Sequence, residues 1–156
     1  MDDVAIARAI HVLSVVVWIG GVTMVTTVLL PMAQRSADGI AIFEMAERRF
    51  AWQARIAILL AGASGFYMVD RLGLWERFGM IAYWWMGAML GLWLLFALLL
   101  FVFEPLFGER WFRRRAVVDA AGALRLMQRF HWIMLVLSAI TIFAAVAGSH
   151  GLMLFD

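Results

Sequence analysis

The sequence lacks cysteine and lysine altogether, has only two prolines, and is poor in charge. The absence of cysteine excludes disulfide bonds, thiolate metal ligands, covalent c-type haem attachment and a cysteine nucleophile. Charged residues make up 15% of the 156 residues and hydrophobic residues 65%, whereas soluble domains average about 25% and about 45–50%. A soluble fold of this size buries only about two thirds of its surface and cannot hide so many apolar side chains. The composition therefore excludes a soluble enzyme and a nucleic-acid-binding module, and predicts an integral membrane protein.

Long segments without Asp, Glu or Arg locate the membrane spans. Segments 9–34, 78–103 and 130–155 each exceed the ~20 residues that a helix needs to cross the hydrocarbon core. A fourth, weaker segment requires a helix that begins near residue 50 and carries Arg55 close to its end, where the guanidinium can reach the headgroups. The sequence thus predicts an all-α, four-transmembrane-helix bundle that forms a single domain over residues 1–156. Its helices are expected at about 5–31, 50–70, 81–106 and 130–153.

The arginines predict how these helices are oriented. Arg8, Arg71 and Arg77 lie on one side of the spans, and the other ten arginines lie on the opposite side. The positive-inside rule places the arginine-rich side in the cytoplasm, so both termini should face the outer, periplasmic side of a bacterial inner membrane. On the inner side, we expect segment 40–50 to be an interfacial lead-in to the second helix. Segment 109–129 should be an arginine-rich helical loop on the membrane surface.

Small residues at helical spacing indicate where helices approach each other closely. Gly87 and Gly91 form such a step in the third helix, and Ala61 and Gly65 form another in the second. Steps of this kind allow close backbone contact, either within one chain or between two copies. They predict packing and no chemistry.

Two of the three histidines are predicted to lie at the same depth. His11 and His150 both fall roughly 10–12 Å outward of the centres of the first and fourth helices. These helices are usually neighbours in a sequential four-helix bundle, so the two imidazoles are candidate ligands of one metal ion or one haem iron. Ala147 and Phe143, on the inward side of His150, leave room for a flat cofactor. His131 lies near the opposite end of the fourth helix, where an interfacial role and a second, inner site both stay open.

The neighbours of His11 suggest how a cofactor would be held. Ser14 lies one turn inward, next to the predicted cofactor. Arg8 lies one turn outward, at the water boundary, where a guanidinium can bind an anionic group such as a haem propionate. Arg71, in the outer loop, is a second residue for the same role.

Two other interpretations of these histidines stay open. Met153 lies near the outer face, and imidazole together with thioether suits copper(I), so His11, His150 and Met153 are an alternative copper site. Alternatively, the histidines sit at the interface and the chain is a structural subunit that binds no cofactor.

The first and last helices resemble those of known membrane families. Arg8, His11, Trp18, Gly20 and Gly21 form an H-x6-W-x-G-G pattern that resembles the opening helix of the copper resistance protein D (CopD) group. The same pattern is similar to that of the HemJ group of protoporphyrinogen oxidases. The fourth helix, with Arg129-Phe-His131-Trp and Ala147-Gly-Ser-His150-Gly, resembles the closing helix of short CopD-like proteins.

The resemblance implies a four-helix membrane protein with an intramembrane histidine site. In the HemJ group, the first-helix histidine is associated with b-type haem, and it corresponds to His11. That group also has a lysine in its third helix, which this chain lacks. The CopD group implies copper movement across the inner membrane, although its members usually have eight helices.

Together, these features predict a small membrane b-type cytochrome that carries single electrons near the outer face. His11 and His150 would ligate haem b, and quinol and a periplasmic redox protein are the expected partners. The prediction leaves open whether the protein catalyses a reaction or relays electrons, and whether it forms a homo-oligomer. Copper handling and a cofactor-free structural role remain the alternatives.

Overall fold

A computed structural model describes residues 2–152 as an all-helical fold, with no strand in that range. Four helices make up the fold. Their bounds are α1 (Asp2–Arg35), α2 (Gly39–Arg71), α3 (Ile81–Val118) and α4 (Ala120–Ser149). A short 3-10 helix, Trp75–Gly79, lies between α2 and α3. The all-α class is confirmed, and the number of helices agrees with the prediction.

Each helix differs from its predicted bounds. Helix α1 extends beyond 5–31 at both ends. Helix α2 already begins at Gly39, so segment 40–50, the predicted interfacial lead-in, forms the first turns of α2. Segment 109–129 is helical, as predicted, but it is divided between two helices, because α3 runs to Val118 and α4 starts at Ala120. Asp119 alone separates them, and its side chain accepts a hydrogen bond from the backbone N–H of Gly122 at 2.8 Å. This N-cap allows a new helix to begin after a single residue.

Three of the four helices are long and apolar enough to cross a membrane, namely α1, α3 and α4. Helix α2 is not among them, because its first half carries Glu44, Glu47, Arg48, Arg49 and Arg55. Many large apolar side chains on the described surface are exposed, for example Leu13, Leu98 and Phe143. Such a surface matches lipid contact better than water contact, so the structure supports a membrane protein.

Contacts between helix ends show that successive helices run in opposite directions. Asp3, at the start of α1, pairs with Arg71 at the end of α2. Gly148, at the end of α4, packs against Trp85 at the start of α3. The beginning of α1 and the end of α4 therefore lie at one end of the molecule, which we call the terminal end. The opposite end, with the connections 36–38 and Asp119, is called the arginine-rich end.

Two buried clusters hold the helices together. The first draws on all four helices and consists of Trp18, Ile19, Val22, Ala54, Ala57, Ile58, Phe96 and Met134. The second lies at the arginine-rich end and consists of Val25, Leu30, Ala33, Phe43, Phe112, Ala123 and Leu124. Phe43 is almost completely buried in it. The second cluster includes residues of segments 40–50 and 109–129, which the sequence assigns to the membrane surface, and it packs both segments against the rest of the fold.

The two prolines are associated with two π-helical segments. In α1, the π-helical segment Val25–Leu29 directly precedes Pro31. In a π-helix, each N–H bonds to the carbonyl five residues earlier. Proline has no N–H, so Pro31 leaves the Thr26 carbonyl without its helical donor. The Gln128 side chain of α4 donates to that carbonyl instead, at 2.6 Å.

Helix α3 repeats this arrangement. Pro105 lies inside the π-helical segment Leu99–Gly108, so the Leu100 carbonyl, five residues earlier, lacks its donor. The Nε atom of Arg55 on α2 donates to the Leu100 oxygen at 3.1 Å. Arg55 also forms an ion pair with Glu104. In an apolar medium an unsatisfied carbonyl is costly, so both prolines are compensated by a side chain from a neighbouring helix.

The two predicted small-residue steps differ in their contacts. Ala61 is buried, and Gly65 faces the His11 ring of α1, which agrees with close packing of α1 on α2. A Cβ atom added at Gly87 or at Gly91 would meet nothing within 4 Å. The step in α3 therefore makes no close contact within the described chain, and a contact between two copies stays a prediction.

Gly62 of α2 packs more closely against a neighbouring helix than these glycines do, and the sequence did not predict this contact. A Cβ atom there would lie 2.5 Å from the Trp93 ring of α3, and Trp93 is held by a 2.9 Å hydrogen bond to the Ile58 carbonyl. We expect Gly62→Ala to lower the free energy of unfolding by about 1–3 kcal/mol because the ring must shift. Gly91→Ala is the control and should be neutral or slightly stabilising. Equal losses for both variants in an unfolding titration would contradict this packing.

Candidate functional site

His11 lies on α1 and is turned toward α2. Its Nδ1 atom is 2.9 Å from the carbonyl oxygen of Ala61 and 3.4 Å from the hydroxyl of Ser64. A Cβ atom at Gly65 would lie 3.3 Å from the ring, so the glycine lets the imidazole pack closely on α2. Because a carbonyl oxygen only accepts, Nδ1 carries the proton in the neutral ring and Nε2 keeps its lone pair. This tautomer presents Nε2 as a ligand, with the second-shell carbonyl that metal-ligating histidines usually have.

His11 belongs to the face of α1 that points into the protein. The buried residues at this helical spacing are Ala7, Ser14, Trp18 and Val22. The Ser14 hydroxyl donates to the Ile10 carbonyl of its own helix at 2.7 Å. The Trp18 ring packs edge-on against Phe96 at 4.7 Å, and its buried Nε1 has no partner in the described chain. The predicted role of Ser14 beside a cofactor stays a prediction, since its proton is already used within α1.

His150 is the C-cap residue of α4 and is exposed. Gly151 follows with a φ of +94°, and the N–H of Leu152 bonds to the Ala147 carbonyl at 3.0 Å. This is a Schellman C-cap, in which glycine takes the left-handed conformation. The Nδ1 atom of His150 is 2.8 Å from the Val146 carbonyl. His150 therefore also presents Nε2, but its ring contacts its own helix end, while the ring of His11 contacts α2.

A shallow apolar groove lies next to His150, between α3 and α4. It has a volume of about 130 Å³, and its walls include Trp84 and Trp85 of α3 and Phe143, Ala144 and Ala147 of α4. The residues expected to leave room for a flat group therefore do line a groove. The opposite wall comes from α3, however, whereas the prediction of a shared site assigns that place to α1.

The two arginines proposed as anion ligands have different environments. Arg8 is exposed on α1 and makes no hydrogen bond or ion pair within residues 2–152. Arg71 binds the Asp3 carboxylate through Nε at 3.2 Å and Nη2 at 3.1 Å, and Tyr67 donates to the same carboxylate at 2.8 Å. Arg71 thus links the start of α1 to the end of α2, and Arg8 is the one that remains open to an anion.

His131 lies near the arginine-rich end of α4, far along the helix from His150. Its Nδ1 atom is 2.9 Å from the Met127 carbonyl, and its ring is edge-on to Phe43 of α2 and to Phe130. This packing belongs to the rim of the second cluster. It agrees with the expectation that His131 does not share a site with His11.

A metal site built only from protein ligands has little support among residues 2–152. No group of three or more histidine, aspartate or glutamate side chains there has the geometry to hold a metal ion. The third ligand of the alternative copper site, Met153, lies outside the described residues. The proposed haem site and the alternative copper site each contain only two such side chains, His11 and His150, so this finding tests neither of them.

Sequence inspection missed a cluster of charges between α2 and α3, which we call the charged corner. Its members are Glu44, Glu47, Arg48, Arg55, Glu104, Glu109 and Arg113. Arg113 pairs with Glu44 at 3.2 Å and with Glu109 at 3.0 Å, Arg48 pairs with Glu109 at 3.5 Å, and Arg55 pairs with Glu104. Pro105 was the sequence signal that could have indicated this cluster. A proline deep in an apolar helix leaves one carbonyl without its backbone N–H, so a polar side chain from another helix must donate the hydrogen bond.

Comparison with known proteins adds no family to this description. No protein-family model matches the sequence, and neither a curated protein nor a solved structure matches it. The fold defines the class of protein as an all-helical protein in which three helices are long and apolar enough to span a membrane.

Proposed function

We propose that this chain is a four-helix membrane bundle that binds one b-type haem and carries electrons near the outer face of a bacterial inner membrane. His11 and His150 are the proposed axial ligands, each through Nε2. A b-type haem supplies one-electron redox chemistry when it is bound. Quinol is the proposed donor and a periplasmic redox protein the proposed acceptor.

The observation that carries this proposal is the state of the His11 imidazole. It lies on the inward face of a membrane-spanning helix, with Nδ1 committed to the Ala61 carbonyl. An ionisable side chain in such a place is costly and usually functional. The carbonyl fixes both the tautomer and the ring orientation, so that the lone pair of Nε2 is available to bind iron.

The proposed ligands have suitable chemistry for a haem, but the groove beside His150 can enclose only part of one. Two imidazoles at the terminal end supply two neutral nitrogen donors, and Arg8 supplies an unpaired cation for a propionate. The groove beside His150 holds about 130 Å³, below the roughly 300–1,000 Å³ of common ligand pockets. Only an edge of a macrocycle fits in that groove, so we propose that its remaining faces contact lipid.

The orientation of the protein in the membrane is part of the proposal. Ten of the 13 arginines belong to the arginine-rich end or its flanks, and the positive-inside rule then places this end in the cytoplasm. The terminal end, with His11 and His150, faces the periplasm. Helix α2 is proposed as the fourth span through its second half, with Arg55 held by Glu104 and by the Leu100 carbonyl.

The visible spectrum of the purified protein tests the haem directly. We expect a Soret band in the oxidised protein and sharp α and β bands after reduction with dithionite, with iron and no copper by metal analysis. A colourless protein from cells supplied with ample haem contradicts the proposal. Bound copper in that colourless protein would instead support the alternative site with Met153.

A structural subunit without cofactor is the second candidate, and a specific observation favours it. His11 contacts Ala61, Ser64 and Gly65 of α2. The same contacts are expected if His11 only joins the two helices by a hydrogen bond in an apolar medium. In that case His11 fastens α1 to α2, and the protein is colourless and free of metal.

A further inference from the structure

The charged corner contains one more carboxylate than guanidinium. Four glutamates, Glu44, Glu47, Glu104 and Glu109, face three arginines, Arg48, Arg55 and Arg113. Every glutamate except Glu47 forms an ion pair with one of these arginines. Within residues 2–152, Glu47 has no hydrogen-bond or ion-pair partner. A single proton on Glu47 would therefore make the corner electrically balanced.

Glu47 also lies where an unpaired negative charge is costly. It is half-buried and lines a cavity of about 30 Å³ together with three other glutamates, one cation and one aromatic ring, namely Glu44, Glu104, Glu109, Arg48 and Phe112. Phe112 belongs to the second buried cluster and excludes water from one side. A carboxylate in these surroundings is repelled by three neighbours and poorly solvated, because burial disfavours the charged form.

The part of α3 that carries Glu109 and Arg113 is attached to a weakened stretch of helix. The π-helical segment Leu99–Gly108 contains Pro105, so one backbone hydrogen bond is missing there and a side chain of α2 replaces it. Prolines and π segments are the places where helices bend. Beyond this hinge, segment Glu109–Val118 is held against α2 by the ion pairs of Glu109 and Arg113 and by Phe112.

We propose that the charged corner is a proton-responsive latch, in which Glu47 is the group that binds the proton. With Glu47 protonated, the corner is balanced and segment Glu109–Val118 closes against α2. With Glu47 ionised, its repulsion of Glu109, the carboxylate that belongs to the segment, loosens the segment about the Pro105 hinge. The latch is independent of any haem at the terminal end.

The direction of the pH response follows from the environment of Glu47. Burial raises the pKa of Glu47 to about 7, from an ordinary value of 4.5; the negative charges of Glu104, Glu44 and Glu109 act in the same direction, and Arg48 opposes them. A raised carboxyl pKa means that the closed state holds the proton more tightly than the open state. The contribution of Glu47 to closure is therefore complete below its ordinary pKa of 4.5, weakens as the pH rises from there, and is lost once the pH has passed about 7.

The absence of cysteine makes the latch directly measurable. Ala41→Cys on α2 and Val117→Cys on α3 change exposed positions on either side of the corner, and spin labels there report the distance by pulsed EPR. In the full chain in nanodiscs, we expect the distance distribution to lengthen or broaden between about pH 5.5 and about pH 8.5. The midpoint should lie between 4.5 and about 7, the pKa values of Glu47 in the open and closed states.

Matched variants identify the titrating group. Glu47→Gln, an uncharged mimic of the protonated acid, should keep the short distance at every pH. Glu76→Gln, on the Trp75–Gly79 turn at the terminal end, and His131→Gln, beside Phe43, should leave the transition in place. A pH response that persists in Glu47→Gln, or a wild-type distance that does not change with pH, would overturn the proposal.

Hydrogen exchange of the unlabelled protein provides a second readout that does not depend on the cysteine variants. Backbone amides of segment Glu109–Val118 should lose protection above pH 7, after correction for the intrinsic exchange rate, while those of the Trp84–Leu98 segment should not. Equal protection of segment Glu109–Val118 at low and high pH would count against the latch.

Discussion

Under the haem proposal, replacing His11 by alanine is expected to abolish the visible spectrum. The variant removes the one inward-facing imidazole whose Nε2 lone pair is free at the terminal end. The expected result is loss of the Soret band and of stoichiometric iron in the purified protein. His150→Ala removes the other proposed ligand and should lose or alter the same bands.

A matched substitution separates the ligand role of His11 from its packing role. The amide N–H of His11→Asn can still donate to the Ala61 carbonyl, but it is a poor iron ligand. Under the haem proposal, His11→Asn is colourless and as stable as the parent protein without haem. His131→Ala, at the arginine-rich end, is the control and should keep the spectrum. A normal Soret band in His11→Asn and in His11→Ala would contradict the assignment of His11 as a ligand.

Replacing Arg55 by methionine is expected to cause the largest loss of stability. Arg55 has two partners on α3, the Glu104 carboxylate and the Leu100 carbonyl. Its removal leaves a partly buried charge and a carbonyl that Pro105 has already deprived of its helical donor. We expect the free energy of unfolding to fall by about 2–4 kcal/mol, since the polar partners lose their hydrogen bonds.

Pro105→Ala tests the reason for this loss. An alanine at 105 supplies the missing backbone N–H, so the Leu100 carbonyl no longer depends on Arg55. In a double-mutant cycle, Pro105→Ala should recover about 1 kcal/mol in the Arg55→Met background. Additive effects of the two changes would contradict the coupling between Pro105 and Arg55.

The second proline provides the uncharged counterpart of this experiment. Gln128→Leu removes the donor to the Thr26 carbonyl without leaving a charge behind. The loss should therefore be smaller, about 1 kcal/mol, and Pro31→Ala should offset it.

The helices were predictable because hydropathy is read from consecutive residues. The segments without charge located α1, α3 and α4, whereas several helix ends lie outside the predicted bounds because the helices continue into charged segments. Segment 109–129 shows why: six arginines over 21 residues indicate a helical loop outside the spans, but Phe112 and Leu124 are buried in the second cluster and make the segment part of α3 and α4. Burial of single apolar side chains cannot be read from the local charge pattern.

The partners of the histidines were not predictable in the same way. Equal depth in the membrane, which the sequence predicts for His11 and His150, does not determine the rotation of a helix about its axis. His11 contacts Ala61 of α2, and His150 contacts the Val146 carbonyl within α4. The charged corner shows the same limit, because Glu47 and Glu104 are far apart in the chain and meet only when α2 packs on α3.

The sequence by itself determined that the chain has helices apolar enough to cross a membrane, because the free energy of crossing a bilayer is a sum over about 20 consecutive side chains. It also predicted the number of helices and the depth of each histidine. Only the tertiary structure decided which helix each polar group faces, which side chains compensate the two prolines, and which glutamate is left without a partner. Those features depend on several helices packing at once, and no local stretch of sequence contains that information.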